Sequence, residues 1–233
     1  PLSMNRKAME KADPNFMQIY QQMGQYWGNQ PMTSGPVYVG AFVLLLFILG
    51  LFIVKGPMKW ALLAATILSI LLSWGRNFMD FTDFFIDYVP MYAKLRTVSS
   101  ILVIAEFTIP LLAMLALKKI IDEPELLAKK MKWVVVSFLL TAGMAVLFAL
   151  MPTLFFDFTS AADAEQLRRM LPEEYLSSFL AYISKVREAV FTADCWRTVL
   201  VIVIGTAILL LYRYHKLRAE WAVGMLVVLC LVD

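Results

Sequence analysis

The chain has 233 residues, of which 61% are hydrophobic and only 17% charged, with a net charge of +3. Its mean hydropathy is +0.70. Soluble domains hold roughly 45–50% apolar and about 25% charged residues, so this composition excludes an ordinary soluble domain and gives no reason to expect a nucleic-acid partner.

In chain order, the first segment, residues 1–36, opens PLSMNRKAMEKADP, without the charged and then apolar pattern of a signal peptide. Six apolar windows follow: Val37–Val54, Trp60–Trp74, Thr97–Leu117, Trp133–Phe155, Thr198–Tyr212 and Trp221–Val232. Each approaches the roughly 20 residues that an apolar helix needs to cross a bilayer, although the second, fifth and sixth are short. The runs are continuous and do not alternate, which excludes a transmembrane barrel. The expected fold is all-α: a polytopic transmembrane bundle of about six spans, with amphipathic interfacial helices in the outer loops. It divides into an outer segment 1–36, a three-span unit 37–117 with an interfacial helix over 76–96, a cytoplasmic connector 118–132, and a second three-span unit 133–233 with an outer helical loop over 156–197. An apolar run stops at Asp233 with no flanking anchor, so both ends read as cuts through a longer polypeptide.

Charge sets the expected orientation. Basic residues concentrate in KGPMK (Lys55–Lys59), KKIIDEPELLAKKMK (Lys118–Lys132) and RYHKLR (Arg213–Arg218). The positive-inside rule puts these on the cytoplasmic side of the membrane, and the N-terminal segment, Trp74–Ser100 and the connection Phe156–Arg197 on the opposite side. His215, the single histidine, lies in RYHKLR and is read as solvated or facing headgroups. Cys195, read as lying in a loop, and Cys230 are expected to be free thiols, with no metal site.

Between the second and third spans, Trp74–Ser100 reads WGRNFMDFTDFFIDYVPMYAKLRTVSS. Asp80, Asp83 and Asp87 recur at i, i+3 and i+7, which puts three carboxylates on one helical face, with Phe81, Phe84, Phe85 and Tyr88 covering much of the rest. Pro90 ends or bends this helix. Its acidic face suits a sugar hydroxyl, a catalytic proton or a divalent cation as cofactor, and spacing alone does not choose among them. A solvated acidic edge is the simpler reading. Lys94 and Arg96 close the segment, and Arg76 opens it. An arginine at headgroup level can hold a phosphate through two parallel hydrogen bonds, or simply anchor the span.

Glu106 lies near the middle of the third window, where an ionisable group costs about 2.5 to 3.5 kcal/mol on insertion scales. It is expected to face the bundle interior, one turn before Pro110. Pro124–Lys132 reads as a short cytoplasmic helix. In the outer connection, Ala161–Met170 is a short helix capped by Ser160, with Asp163 in the capping-box position. Leu171–Phe191 is an amphipathic helix with Leu176, Phe179, Leu180, Ile183, Val186 and Val190 on its apolar face.

Three stretches carry a family resemblance: YWGNQPMTSGPVYVGA (Tyr26–Ala41), GLFIVKGPMKWALLAATILSILLSWGRNFM (Gly50–Met79) and DYVPMYAKLRTVSSILVIAEFTIPLLAMLALKKI (Asp87–Ile120). Through them the chain resembles the YfhO family of bacterial multi-spanning membrane proteins, in the form found in Bacteroidetes. The resemblance implies a portion of a GT-C-like glycosyltransferase that takes a sugar from a polyprenyl-phosphate carrier and attaches it to a cell-envelope glycan or polymer outside the membrane. The partners it implies are membrane lipid, the lipid-linked donor, a glycan acceptor and the remainder of a longer polypeptide. It assigns Arg96, helped by Lys94 and Arg76, to the carrier phosphate, and leaves Asp80 and Asp83 as candidates for sugar or acceptor contact. It also implies that the main catalytic aspartate lies upstream of Pro1. A transporter or flippase of a lipid-linked glycan, built around Glu106, and a non-catalytic membrane scaffold are the alternatives.

Overall fold

The computed structural model describes residues 19–20, 23, 37–89, 98–170 and 172–233, without the side chains of residues 76, 77, 98, 99, 161 and 162. It is all-helical, with 84% helix and no strand among the described residues. The helices are α1 (Ala41–Ile53), α2 (Met58–Ser73), α3 (Met79–Tyr88), α4 (Val103–Asp122), α5 (Leu126–Lys129), α6 (Met131–Leu150), α7 (Pro152–Phe155), α8 (Ala161–Arg168), α9 (Glu173–Arg213) and α10 (Ala219–Val232). Three are long and apolar enough to cross a membrane: Ser100–Asp122, which contains α4, together with α6 and α9. The apolar helices α1, α2 and α10 are shorter.

The chain forms two compact units, residues 1–35 with 143–200 and residues 36–142 with 201–233. In the second unit, α4 packs against α1 and α2. Its buried face carries small side chains, Ala105, Thr108, Ala113 and Ala116, beside Ile109, Leu112 and Ile120. Small residues let helix backbones approach closely, which is how helices associate where lipid is as apolar as the side chains. Gly50 of α1 shows how tight the approach is, since a Cβ there would meet the Leu112 carbonyl oxygen at 3.1 Å and the Ala116 Cβ at 3.3 Å. Between α2 and α4 the hydroxyls of Thr66 and Thr108 lie 2.7 Å apart.

Helix ends in this unit are tied by side chains from elsewhere. Gly40 adopts φ 90, a left-handed turn suited to glycine, and α1 has no side-chain cap of its own. Its first amide, Ala41 N, donates instead to Asp233 Oδ2 at 2.8 Å, and the Tyr38 hydroxyl donates to the same oxygen at 2.8 Å. At the opposite end of α1, Lys59 Nζ donates to the Leu51 carbonyl at 2.7 Å, and the Phe52 ring stacks on Trp133 with centroids 4.0 Å apart. The Tyr212 hydroxyl donates to the carbonyl of Ile121, near the end of α4, at 2.9 Å. These contacts gather the connectors bearing Lys55, Lys59, Lys118, Lys119, Lys130, Lys132 and Arg213 at one end of the unit.

Two expectations require correction. Leu171–Phe191 and Thr198–Tyr212 are not separate helices, because α9 runs unbroken from Glu173 to Arg213. Its 41 residues make a helix about 61 Å long, twice the thickness of a hydrocarbon core. The intervening TADCWR holds neither glycine nor proline, so backbone chemistry gives the helix no reason to stop there. Cys195 accordingly lies buried within α9 and not in a loop, while Cys230 is exposed on α10, and both are free. In α6, Leu139–Gly143 forms a π-helical turn, and Thr141 Oγ1 donates back to the Ser137 carbonyl at 2.8 Å.

Candidate functional site

The second half of α2 turns its polar side chains inward. Thr66, Ser69 and Ser73 are buried and donate to carbonyls of their own helix, at Leu62, Thr66 and Ile70. Beyond Trp74 the chain tightens into a short 3-10 turn, Gly75–Phe78, with Gly75 at φ 46, and then enters α3. Buried Thr82 fastens α3 to that turn, its hydroxyl lying 3.0 Å from both the Gly75 and the Phe78 carbonyl oxygens. One hydroxyl has one proton, so the two acceptors share it.

With Thr82 inward, Asp80, Asp83 and Asp87 all face outward and are exposed. Asp80 lies in the first turn, where the helix dipole favours a negative charge. Beside the carboxylates runs a ladder of rings, Trp74 to Phe78 at 6.2 Å, Phe78 to Phe81 at 5.4 Å, Phe81 to Phe85 at 5.0 Å and Phe84 to Tyr88 at 5.0 Å. Most of these rings are exposed, so α3 presents an acidic edge and an aromatic edge side by side. That suits the boundary between headgroups and water, where amphipathic rings settle. Among the described residues, these aspartates included, no three side chains come together to hold a metal ion.

Arg76 lies in the turn Gly75–Phe78, where only its backbone is described, and Lys94 and Arg96 lie outside the described residues, as does Pro90. The backbone on either side is nonetheless placed. The 3-10 turn Val98–Leu102 that precedes α4 packs against α2, so α2 and α4 form a hairpin with α3 at its connected end.

Glu106 departs from expectation. It lies in the first turn of α4, not near the middle, and is exposed, whereas Ala105 and Thr108 face inward. The reason lies in α4 itself, which gives its packing face to small residues and leaves Val103, Glu106, Phe107 and Met114 outside. An apolar cavity of about 290 Å³ opens farther along the same helix, lined by Pro110 and Met114 of α4, Phe42 and Leu46 of α1, and Val227 and Leu231 of α10.

The first unit contains a charged cluster that sequence reading found only in part. Ser160 and Asp163 form the expected capping box at the start of α8. Their partner is Arg187 of α9, whose guanidinium grips the Asp163 carboxylate through two bonds of 2.7 and 3.0 Å and donates to the Phe158 carbonyl at 2.9 Å. Arg187 is 1% exposed. Burial alone would raise the Asp163 pKa, but the Arg187 hydrogen bond, the Ser160 amide and the Arg187 charge together hold it below the ordinary value. The signal was present in the sequence, because Arg187 follows Ile183 by four residues on the apolar face of the helix, a place where a charge needs a buried partner.

Compared with protein-family models, with curated proteins and with solved structures, the chain matches none.

Proposed function

We propose that the chain is a portion of an integral-membrane glycosyltransferase, resembling the YfhO family, that uses a polyprenyl-phosphate-linked sugar to modify a cell-envelope glycan on the outer face. Six helical segments cross the bacterial inner membrane in this reading, α1, α2 and α10 as well as the three longer ones. The gathered lysines and arginines mark the cytoplasmic end. The acidic edge of α3 and the KLRTVSS segment then lie at the outer surface.

The observation that carries the reading is the α2–α4 hairpin. It brings the backbone turn holding Arg76 and the chain just after Arg96 to the same end, with the acidic, aromatic helix α3 between them. Two arginines and a lysine flanking such a helix suit a lipid phosphate at headgroup level beside a sugar. In the reaction, a carboxylate takes the proton of the acceptor hydroxyl, that oxygen displaces the carrier phosphate at the anomeric carbon, and the basic groups stabilise the departing phosphate. Asp80 and Asp83 contact sugar or acceptor. The alternative, a transporter or flippase of a lipid-linked glycan, draws on the intramembrane Glu106, which lies within the apolar helix Ser100–Asp122.

The test is transfer of labelled sugar from polyprenyl-phosphate donors in membranes carrying the full-length protein. Arg96→Gln should abolish transfer with membrane insertion unchanged. Normal transfer by that variant would remove the phosphate role.

A further inference from the structure

The basic end of the second unit carries a matched pair of triplets that is independent of the transferase reading. Met58, Lys59 and Trp60 open α2, and the same three residue types in the same order, Met131, Lys132 and Trp133, open α6. In each, the lysine lies over the ring beside it, Lys59 Nζ at 5.1 Å and Lys132 Nζ at 5.8 Å from the ring centroid, within the range of cation–π attraction. Both triplets converge on the last turn of α1: Lys59 Nζ donates to the Leu51 carbonyl, and the Trp133 ring stacks on Phe52. An ammonium has three protons, so Lys59 keeps two after that bond. Neither lysine has a carboxylate partner among the described residues.

The charge around them is strongly one-sided. Residues 55–59, 118–132 and 213–220 hold ten basic side chains against four acidic ones, and one of those four, Glu125, is already paired with Lys129 at 3.2 Å. The chain leaves the described residues of this unit at Val37, Val89 and Val98, all at the opposite end, where α1 and α4 begin and α3 ends. Beyond the lysines both helices continue with exposed apolar side chains, Ile67 and Leu68 on α2, Val135 and Leu139 on α6. A ligand that meets both features has an anionic head and hydrocarbon tails; a soluble anion would leave the apolar surface unused. We infer that the Lys59–Trp60 and Lys132–Trp133 pairs bind the headgroup of an anionic phospholipid. The two ammonium groups meet its phosphate as point charges, the indoles lie at headgroup level, and the acyl chains run along α2 and α6. Basic clusters at the ends of apolar helices take such headgroups. A zwitterionic lipid brings its own cation against the positive excess, so charge selects the lipid with a net negative head.

The inference is tested by native mass spectrometry of the full chain in mild detergent, offered phosphatidylglycerol and phosphatidylcholine in equal amounts. Bound phosphatidylglycerol should exceed phosphatidylcholine at least tenfold. Lys132→Gln, at an exposed position outside the core, should lower that preference at least threefold, and Lys59→Gln with Lys132→Gln should abolish it. Lys132→Arg, which keeps the charge, should retain it, so a loss caused by Lys132→Gln reads the cation and not the fold. Glycerol phosphate, a head without chains, should not displace the bound lipid at equal concentration. Equal binding of the two lipids, a preference that survives the double substitution, or displacement by glycerol phosphate would overturn the inference. So would a polypeptide that co-purifies with the native chain, blocks phosphatidylglycerol binding and is lost with Lys132→Gln.

Discussion

Arg187 holds Asp163 through a two-pronged ion pair, 2.7 and 3.0 Å, with both residues buried and with the same carboxylate capping α8 through Ser160. Three elements thus depend on one carboxylate: the first turn of α8, the Phe158 carbonyl held by Arg187, and the apolar face of α9. That face packs Phe179, Ile183 and Val186 against Tyr20, Met23 and Leu167. Taking one partner from a buried pair strands the other charge, at a cost of about 3–5 kcal/mol. Asp163→Asn and Arg187→Met should each destabilise the first unit by that amount, read as faster tryptic cleavage at the exposed Arg168 and Arg169. The double variant should lose less than the two single losses combined.

The same pair sets a pH dependence. The folded pKa of Asp163 is depressed, so its contribution to stability is complete above the unfolded value, near 3.9, and is lost as pH falls through the folded value. The first unit should therefore resist trypsin-like probing equally from pH 7 to about pH 5, and loosen below about pH 4. An acid-stable protease supplies the low-pH readout. Asp163→Asn should remove this acid dependence while lowering resistance at neutral pH.

Local features were legible in the sequence where the chemistry itself is local. Ser160 and Asp163 lie three residues apart and form their capping box as expected, and the spacing of Asp80, Asp83 and Asp87 put them on one exposed face. The partner of a buried charge was not legible, because Arg187 and Asp163 are 24 residues apart. Nor was the orientation of α4. A helix apolar all round has no strong moment to tell inside from outside. Side-chain size carried the information instead: Ala105, Ala113 and Ala116 turn inward, while Phe107 and Met114 turn outward with Glu106. Expecting the polar residue to face inward applied a rule about charge to a helix arranged by volume.

Gly205 of α9 is packed beneath the Phe42 ring of α1, and a Cβ built there would fall inside the ring's van der Waals envelope. Helix propensity alone predicts that Gly205→Ala stabilises by about 1 kcal/mol. Packing predicts the reverse, since overfilling a core costs about 1–3 kcal/mol. The ring is fully buried at 1% exposure, with no solvent to swing into, so packing should win. Thermal unfolding in detergent should show a lower melting temperature for Gly205→Ala, with recovery when Phe42→Leu makes room.

The Thr66–Thr108 contact holds α2 against α4 at the level where the hairpin must be rigid if it is to position α3. Each hydroxyl also lies within 2.9 Å of a carbonyl four residues back, at Leu62 and Ile104. Two protons serve three short contacts, so one hydroxyl donates across the gap only by sharing its proton or releasing its own carbonyl. That competition keeps the cross-helix bond weak, near the average of about 0.6 kcal/mol for hydrogen bonds between membrane helices. Valine matches threonine in shape and lacks the proton. Thr66→Val, Thr108→Val and the double variant, compared by reversible unfolding, should give a coupling energy of about 0.6 kcal/mol and not above about 1.7. A coupling of zero would mean that both hydroxyls spend their protons on their own helices and that the small residues of α4 alone hold the hairpin closed.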